Sequence, residues 1–186
     1  MARPVEYDLE HVLDKAMNIF WEKGYESVSM ADLVTHTGLN RRTMYSLFKD
    51  KDGLYKDALE NYFIKMASNQ LKVLKDNHGK KGIELFFQAF YFEENFKGCL
   101  YTNTIIEKKF VNPEAFSTVK KFYQDVKTQL EINLSDEALG GGFTGDVKAM
   151  ALTLITIVQG LGVYGKFNQS KEESDLIIKN VLNMIR

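Results

Sequence analysis

Apolar residues return at three- and four-residue steps from Leu9 through Val12, Leu13, Ala16, Ile19 and Phe20, the spacing that gathers them on one face of a helix. The pattern predicts a first helix from about Tyr7 to Lys23. Gly24 follows directly, where a glycine in the left-handed conformation would close that helix. Ser29 opens a second helix with Asp32 three residues on, an imperfect capping box. Thr37 and Gly38 interrupt it early, and Asn40, a good N-cap, begins a third.

A much longer helix is predicted from Asp50 or Lys51 to about Lys75, with Leu54, Ala58, Tyr62, Lys65 and Met66 marking its periods. Asn77-His78-Gly79-Lys80-Lys81-Gly82 ends it and reads as a hinge. The helical pattern resumes through Leu85, Phe86, Ala89 and Phe90, then after Gly98, Pro113, Gly145 and Ser170. Period-two alternation and internal repeats are not found. The chain is therefore expected to be all-α, with about nine helices.

Composition narrows the class. At 186 residues, 45% hydrophobic and 26% charged with two prolines, the chain reads as folded and globular. The first ten residues carry mixed charge and no apolar block, so no secretory signal is expected and the address is cytoplasmic. The single cysteine, Cys99, has no internal partner, and His11, His36 and His78 lie far apart, which predicts neither a disulfide nor a metal site. Paired catalytic carboxylates and a nucleophile elbow are also missing, so neither an enzyme nor a cofactor is expected.

A net charge of −1 argues against nucleic acid only on average. Between Asn40 and Lys51 the basic residues Arg41, Arg42, Lys49 and Lys51 face a single acid, Asp50, whereas Glu6, Asp8, Glu10 and Asp14 crowd the first helix. Two short helices locked at a steep angle need a glycine turn and apolar residues at fixed offsets from it. Gly38 supplies the turn; Leu33 lies five residues before it, Leu39 follows, and Met44 and Leu47 lie six and nine residues after. That is a helix-turn-helix pattern. A basic face on a small structural domain is the competing reading, and Tyr45 separates the two: buried in a structural domain, exposed on a recognition helix.

The stretch Val12–Leu59 resembles the DNA-binding domain of the TetR family of bacterial transcriptional regulators. The resemblance rests on Phe20-x-x-x-Gly24-Tyr25, Ser29-Met30, Gly38-Leu39-Asn40, Thr43-Met44-Tyr45, and Phe48 followed by Lys51 and Leu54. It implies a three-helix DNA-binding domain over 1–50 and a helical ligand-binding and dimerisation domain over 51–186. The third helix would lie in the major groove of double-stranded DNA, with Arg41 and Arg42 reaching bases or phosphates. Asn40 and Ser46 belong to the same surface, Thr43, Tyr45 and Lys51 would hold phosphates, and Ser29 would donate to one from the start of the second helix. Val34 and Arg42 depart from the small residues usual in the family, so the sequence read is not transferable from relatives.

Aromatic residues are dense from Ile83 to Tyr123, with polar groups among them, the composition of a small-molecule pocket. The resemblance implies an effector cavity, for which Phe90, Cys99, Asn103, Tyr123 and Gln159 are the candidates. Gly98–Thr104 is similar to a segment of family members that sense electrophiles or oxidants through cysteine, so Cys99 is also a candidate sensor. Ala149–Gly165 is uncharged but contains Gln159, threonines and glycines; it reads as an interface helix, forming with the last helix half of a four-helix bundle across a homodimer axis, and not as a membrane span. Gly140–Gly145 matches a dinucleotide-loop glycine pattern without the strand such a loop needs, and reads as a connection. The resulting expectation is a repressor that binds a palindromic operator as a homodimer and leaves it when a small hydrophobic effector binds. The alternatives are redox sensing through Cys99 and a helical protein-interaction module that does not bind DNA.

Overall fold

The computed structural model describes residues 7–89, 96–167 and 170–186. Phe90, Tyr91 and Phe92 lie outside the described residues. The architecture is all-α, nine helices with no strand among the described residues.

Helix α1 (Leu9–Lys23) begins where the Asp8 carboxylate accepts the His11 amide, and it buries Val12, Ala16, Met17, Ile19 and Phe20. It ends at Gly24 with φ 83° and ψ 163°. This is not the left-handed helical conformation expected from the sequence but an extended one with positive φ, a region open essentially to glycine alone. Helix α2 (Met30–Thr37) starts in a complete capping box: Ser29 Oγ accepts the Asp32 amide and the Asp32 carboxylate accepts the Ser29 amide. Gly38 then adopts the left-handed conformation, φ 80° and ψ 4°, and turns the chain into α3 (Arg41–Phe48), capped by Asn40 Oδ1 on the Thr43 amide.

Lys49 links α3 to the next helix with φ 64° and ψ −56°. The Asp50 amide donates across it to the Phe48 carbonyl at 2.7 Å, which makes a γ-turn with its central residue at positive φ, a strained conformation. The chain then runs helically without a break through Lys51–Tyr62, a π-helical turn at Phe63–Ala67, and Ser68–Asp76; together, 51–76, these form α4. The π turn has a visible use. Leu54, Ala58 and Tyr62 are buried four apart, the next buried position is Ala67, five on, and Leu71 and Leu74 follow. One extra residue returns the apolar stripe to the core, and Lys65 and Met66, expected on that stripe, face outward instead. Lys65 bonds Asp14 and Glu10 of α1 at 2.7 and 2.9 Å, and its hydrogen bond holds the Asp14 carboxyl below the usual range.

The remaining helices are α5 (Gly79–Gln88), α6 (Leu100–Ile106), α7 (Pro113–Leu139), α8 (Val147–Phe167) and α9 (Lys171–Met184). The central helix is α7, packed against α4, α5, α6 and α8, while α9 lies on α5. The segment 77–82, read as a hinge, is instead pinned. Helix α5 restarts at Gly79, the Lys80 amide donates to Glu137, and a Cβ on buried Gly82 would meet the Asn77 carbonyl at 2.1 Å. Gly140–Gly145 is a connection between α7 and α8, held by buried Phe143 and by the Thr144 amide on the Arg186 carbonyl.

Replacing Lys49 with glycine should relieve the positive φ, and the net gain, after glycine's own entropic cost, should be about 1 kcal/mol. Urea unfolding should show a higher midpoint for Lys49→Gly; a lower one would mean that the turn carries no strain.

Candidate nucleic-acid interface and its link to the helical body

Helix α3 divides cleanly. Met44 and Phe48 are buried against the domain core with Leu33 and Leu39, whereas Arg41, Arg42, Tyr45 and Ser46 are exposed on the opposite face. Tyr45 is 39% exposed and the Arg41 guanidinium lies 5.7 Å from its ring centre. A tyrosine serving as core would not be left in this position. The outward face is thus a short row of two guanidiniums, a phenol and a hydroxyl on a helix that the turn at Gly38 holds clear of α2.

Beside it, the turn between α1 and α2 is gripped from both sides. The Tyr25 and Glu26 amides donate to the Glu107 carboxylate, at 2.8 and 3.1 Å, from the C-terminal end of α6. The Lys51 ammonium donates to the carbonyls of Val28 and Glu26, at 2.8 and 3.4 Å, and lies 4.2 Å from the Tyr25 ring centre. Burial lowers the Lys51 pKa. The buried Tyr25 phenol, bonded to Asp52, is pushed up by burial first and by that carboxylate second.

Within the body, Cys99 stands at the N-cap position of α6, in extended backbone just before Leu100. Its sulfur lies 3.6 Å from the Tyr62 hydroxyl and 3.9 Å from that of Tyr123, and Tyr123 shares a 2.8 Å hydrogen bond with Thr102. Burial raises the pKa of both tyrosines. Asn103 Oδ1 accepts from Lys166 of α8 at 2.8 Å, and burial lowers the Lys166 pKa. Gly162 lets α8 close on this cluster, since a Cβ there would sit 3.0 Å from Thr102 Oγ1 and 3.1 Å from Cys99 Cβ. No group of histidine, cysteine and acidic residues among the described residues could hold a metal ion.

The profile of bacterial regulatory proteins of the tetR family matches residues 12–58. The chain is 28% identical over 180 residues to the HTH-type transcriptional repressor ComR of Escherichia coli K12, covering 92% of this chain and 86% of that protein. Residues 12–58 are thus a DNA-binding domain of the TetR family. The chain's similarity extends to the biofilm operon icaADBC negative transcriptional regulator IcaR of Staphylococcus epidermidis, 25% identical, with 67% of this chain and 66% of that one covered. In fold it matches a cysteine mutant of the TetR family regulator CifR complexed with 26-bp double-strand operator DNA, with TM-score 0.84, 21% identity and both chains fully covered. The reduced form of Escherichia coli NemR matches with TM-score 0.81 and 18% identity, covering 95% of this chain and 96% of that one.

Within this TetR-type domain and the start of α4 the expected DNA-contacting residues fall into two groups. Arg41, Arg42, Tyr45 and Ser46 have exposed side chains. Asn40 and Ser29, though exposed, and Lys51 have side chains engaged within the protein: Asn40 Oδ1 caps the Thr43 amide, the Ser29 hydroxyl donates to Asp32 at 2.5 Å, and Lys51 holds loop carbonyls; half-buried Thr43 is engaged through its backbone amide. Of the expected sensor residues, Cys99 and Tyr123 are brought together, Asn103 sits one helical turn along α6 from Cys99, and half-buried Gln159 lies on α8 one turn before Gly162. Phe90 lies outside the described residues. Sequence reading missed Tyr62, Thr102, Lys166 and Glu107. Thr102 had a local signal, three residues after Cys99; the other three reach their partners from far along the chain.

If Lys51 serves chiefly to hold the α1–α2 turn, Lys51→Met should lower stability by about 1–2 kcal/mol, the scale of hydrogen bonds made by a charged donor after allowance for partial solvent exposure. Chemical denaturation in the absence of DNA reads this directly. Unchanged stability would return Lys51 to the role of a phosphate contact alone.

Proposed function

We propose that the chain is a cytoplasmic repressor that binds a palindromic operator as a homodimer, α3 in the major groove, and leaves it when a small hydrophobic effector enters the helical body. The observation that carries the reading is the exposed face of α3. Arg41 and Arg42 are free to reach base edges, where a bidentate arginine–guanine pair is worth roughly 1–3 kcal/mol of discrimination. Tyr45 and Ser46 beside them can donate to phosphates, adding affinity without reading sequence.

Dimerisation is supported by α8 and α9. Helix α8 is long and apolar enough to cross a membrane by length and composition. One face of it is packed inside the body, through Ala151, Leu154, Val158, Leu161, Gly162 and Gly165. The other leaves Leu152, Val163, Tyr164 and Phe167 exposed, Ile177 of α9 lies beside the last three, and α9 itself exposes Leu176 and Met184. Two such faces related by a two-fold axis would cover each other in a four-helix bundle, the arrangement that also sets two recognition helices about one DNA turn apart.

The effector reading rests on Cys99 and Tyr123, whose thiol and hydroxyl meet among the rings of Tyr62, Tyr101 and Phe122, with Asn103 and Gln159 as further candidates. A second reading makes Cys99 itself the receptor, favoured by the position of its sulfur between two tyrosine hydroxyls at the start of α6. Alkylation of Cys99 by N-ethylmaleimide that lowers operator affinity in wild type, and leaves Cys99→Ser unaffected, would establish the covalent route.

Selection of bound duplexes from a random pool should enrich an inverted repeat with wild-type protein and lose it with the Arg41→Ala/Arg42→Ala variant. Failure of the wild-type dimer to enrich any sequence at low salt would favour a protein-interaction module instead. Sedimentation should show a dimer for wild type and a monomer for Leu152→Glu/Phe167→Glu; a dimer that survives both charges would place the interface elsewhere.

A further inference from the structure

The turn between α1 and α2 carries two adjacent amides that no helix can satisfy, because α1 has ended at Gly24 and α2 begins only at Met30. Both are satisfied by one side chain from the other half of the molecule, 82 and 81 residues away: Glu107 Oε2 accepts from Tyr25 and Oε1 from Glu26. The fit is close. A Cβ at Gly24 would stand 2.7 Å from Glu107 Oε1, so the glycine both allows the backbone conformation and clears room for the carboxylate. Glu107 is half-buried and stands at the C-cap of α6, its own amide donating to the Asn103 carbonyl at 3.1 Å.

The same turn is held on its carbonyl side by Lys51, through Glu26 and Val28. Carboxylate and ammonium thus pull on opposite edges of one short backbone segment, and the Glu107 charge acts on Lys51 against the lowering of its pKa by burial. The two anchors differ in origin: Lys51 begins α4, close to α3, while Glu107 belongs to the helix that also carries Cys99 and Asn103. Lys166 of α8, bonded to Asn103, also feels the charge of Glu107. A shift or rotation of α6 would therefore displace Glu107 directly, since fewer than three turns of helix separate it from Cys99.

We propose that Glu107 is a positioning residue for DNA binding: its carboxylate holds the α1–α2 turn, and with it the start of α2, in the arrangement that presents α3 to the groove, and movement of α6 releases it. This rests on the regulator reading above and adds the contact through which the helical body acts on the DNA-binding helices. Glu107 itself carries a negative charge and makes no phosphate contact in this scheme, so its removal should weaken binding without changing how binding depends on salt.

The test uses the full chain, wild type and Glu107→Ala and Glu107→Gln, with a duplex carrying the inverted repeat selected by wild type. Coupling energies between sites of this kind correspond to about 5- to 150-fold in affinity, so Glu107→Ala should lose at least roughly tenfold and Glu107→Gln, which keeps one acceptor, less. The slope of log affinity against log salt should match wild type, because the number of neutralised phosphates is unchanged. Amide hydrogen exchange should speed up in residues 24–28 while α7 and α8 stay protected. Wild-type affinity in Glu107→Ala, or unaltered exchange at 24–28, overturns the proposal, as does exchange that rises throughout the chain, which would mark Glu107 as a general stabiliser. If wild type itself binds no duplex, the regulator reading falls and takes the coupling with it; wild-type binding with an indifferent Glu107→Ala overturns the coupling alone.

Discussion

Two-sided burial of α4 is the constraint on which the rest depends. Leu54, Tyr55, Ala58, Leu59 and Tyr62 are all sealed from solvent because α1 covers one side of the helix while α6 and α7 cover the other. Aromatic rings mark the path. Tyr55 meets Phe20 and Tyr25 with centres 4.7 Å apart, Tyr62 meets Trp21 at 5.1 Å and Tyr101 at 5.0 Å, and Tyr101 meets Phe122 at 5.1 Å. All but the tilted Tyr25–Tyr55 pair meet edge to face, a geometry that adds about 0.5–1.5 kcal/mol per pair beyond the area buried. The consequence is mechanical: the DNA-binding helices and the helical body share a continuous packed interior through α4, so neither can shift without the other repacking.

Polar contacts refine that packing. Tyr55 shares a hydrogen bond with Thr104, Tyr101 donates to the Leu59 carbonyl, and Trp21 donates to the Gly98 carbonyl at 3.0 Å. All of these tie the first helices to the segment 98–107, which also holds the Cys99 cluster and ends at Glu107. Segment 98–107 is thus a part of the body that touches both halves directly, and a covalent change at Cys99 would act on it first. The population of the DNA-competent state need move by only a few kcal/mol to change operator occupancy.

The helix-turn-helix was legible in the sequence because its determinants are local. Ser29 with Asp32, Gly38, Asn40, and the offsets of Leu33, Leu39, Met44 and Leu47 each act within a few residues, and caps of this kind contribute about 1 kcal/mol apiece. The number and order of helices followed from apolar periodicity. Three features were not legible. Gly24 has the positive φ expected but an extended ψ, because the chain beyond it must bring the Tyr25 and Glu26 amides to Glu107. The π turn in α4 appears in the sequence as a five-residue step from Tyr62 to Ala67, a step that periodicity counting at 3.6 absorbs into Lys65 and Met66. Residues 77–82 have the composition of a hinge, yet Gly79 and Gly82 are there for close approach to Glu137 and Asn133. Tyr62, Lys166 and Glu107 act across long sequence separations that no local pattern records.

If the outward row of Arg41, Arg42, Tyr45 and Ser46 reads duplex DNA, its two guanidiniums make binding depend on salt. The most direct measurement is equilibrium binding of the wild-type protein to a duplex carrying its selected repeat, and to a scrambled duplex, as salt is raised. Affinity for both should fall linearly on a log–log plot, with a negative slope reporting several neutralised phosphates, and the repeat should stay favoured throughout. Affinity that is indifferent to salt, or equal for the two duplexes at every salt concentration, would contradict that reading.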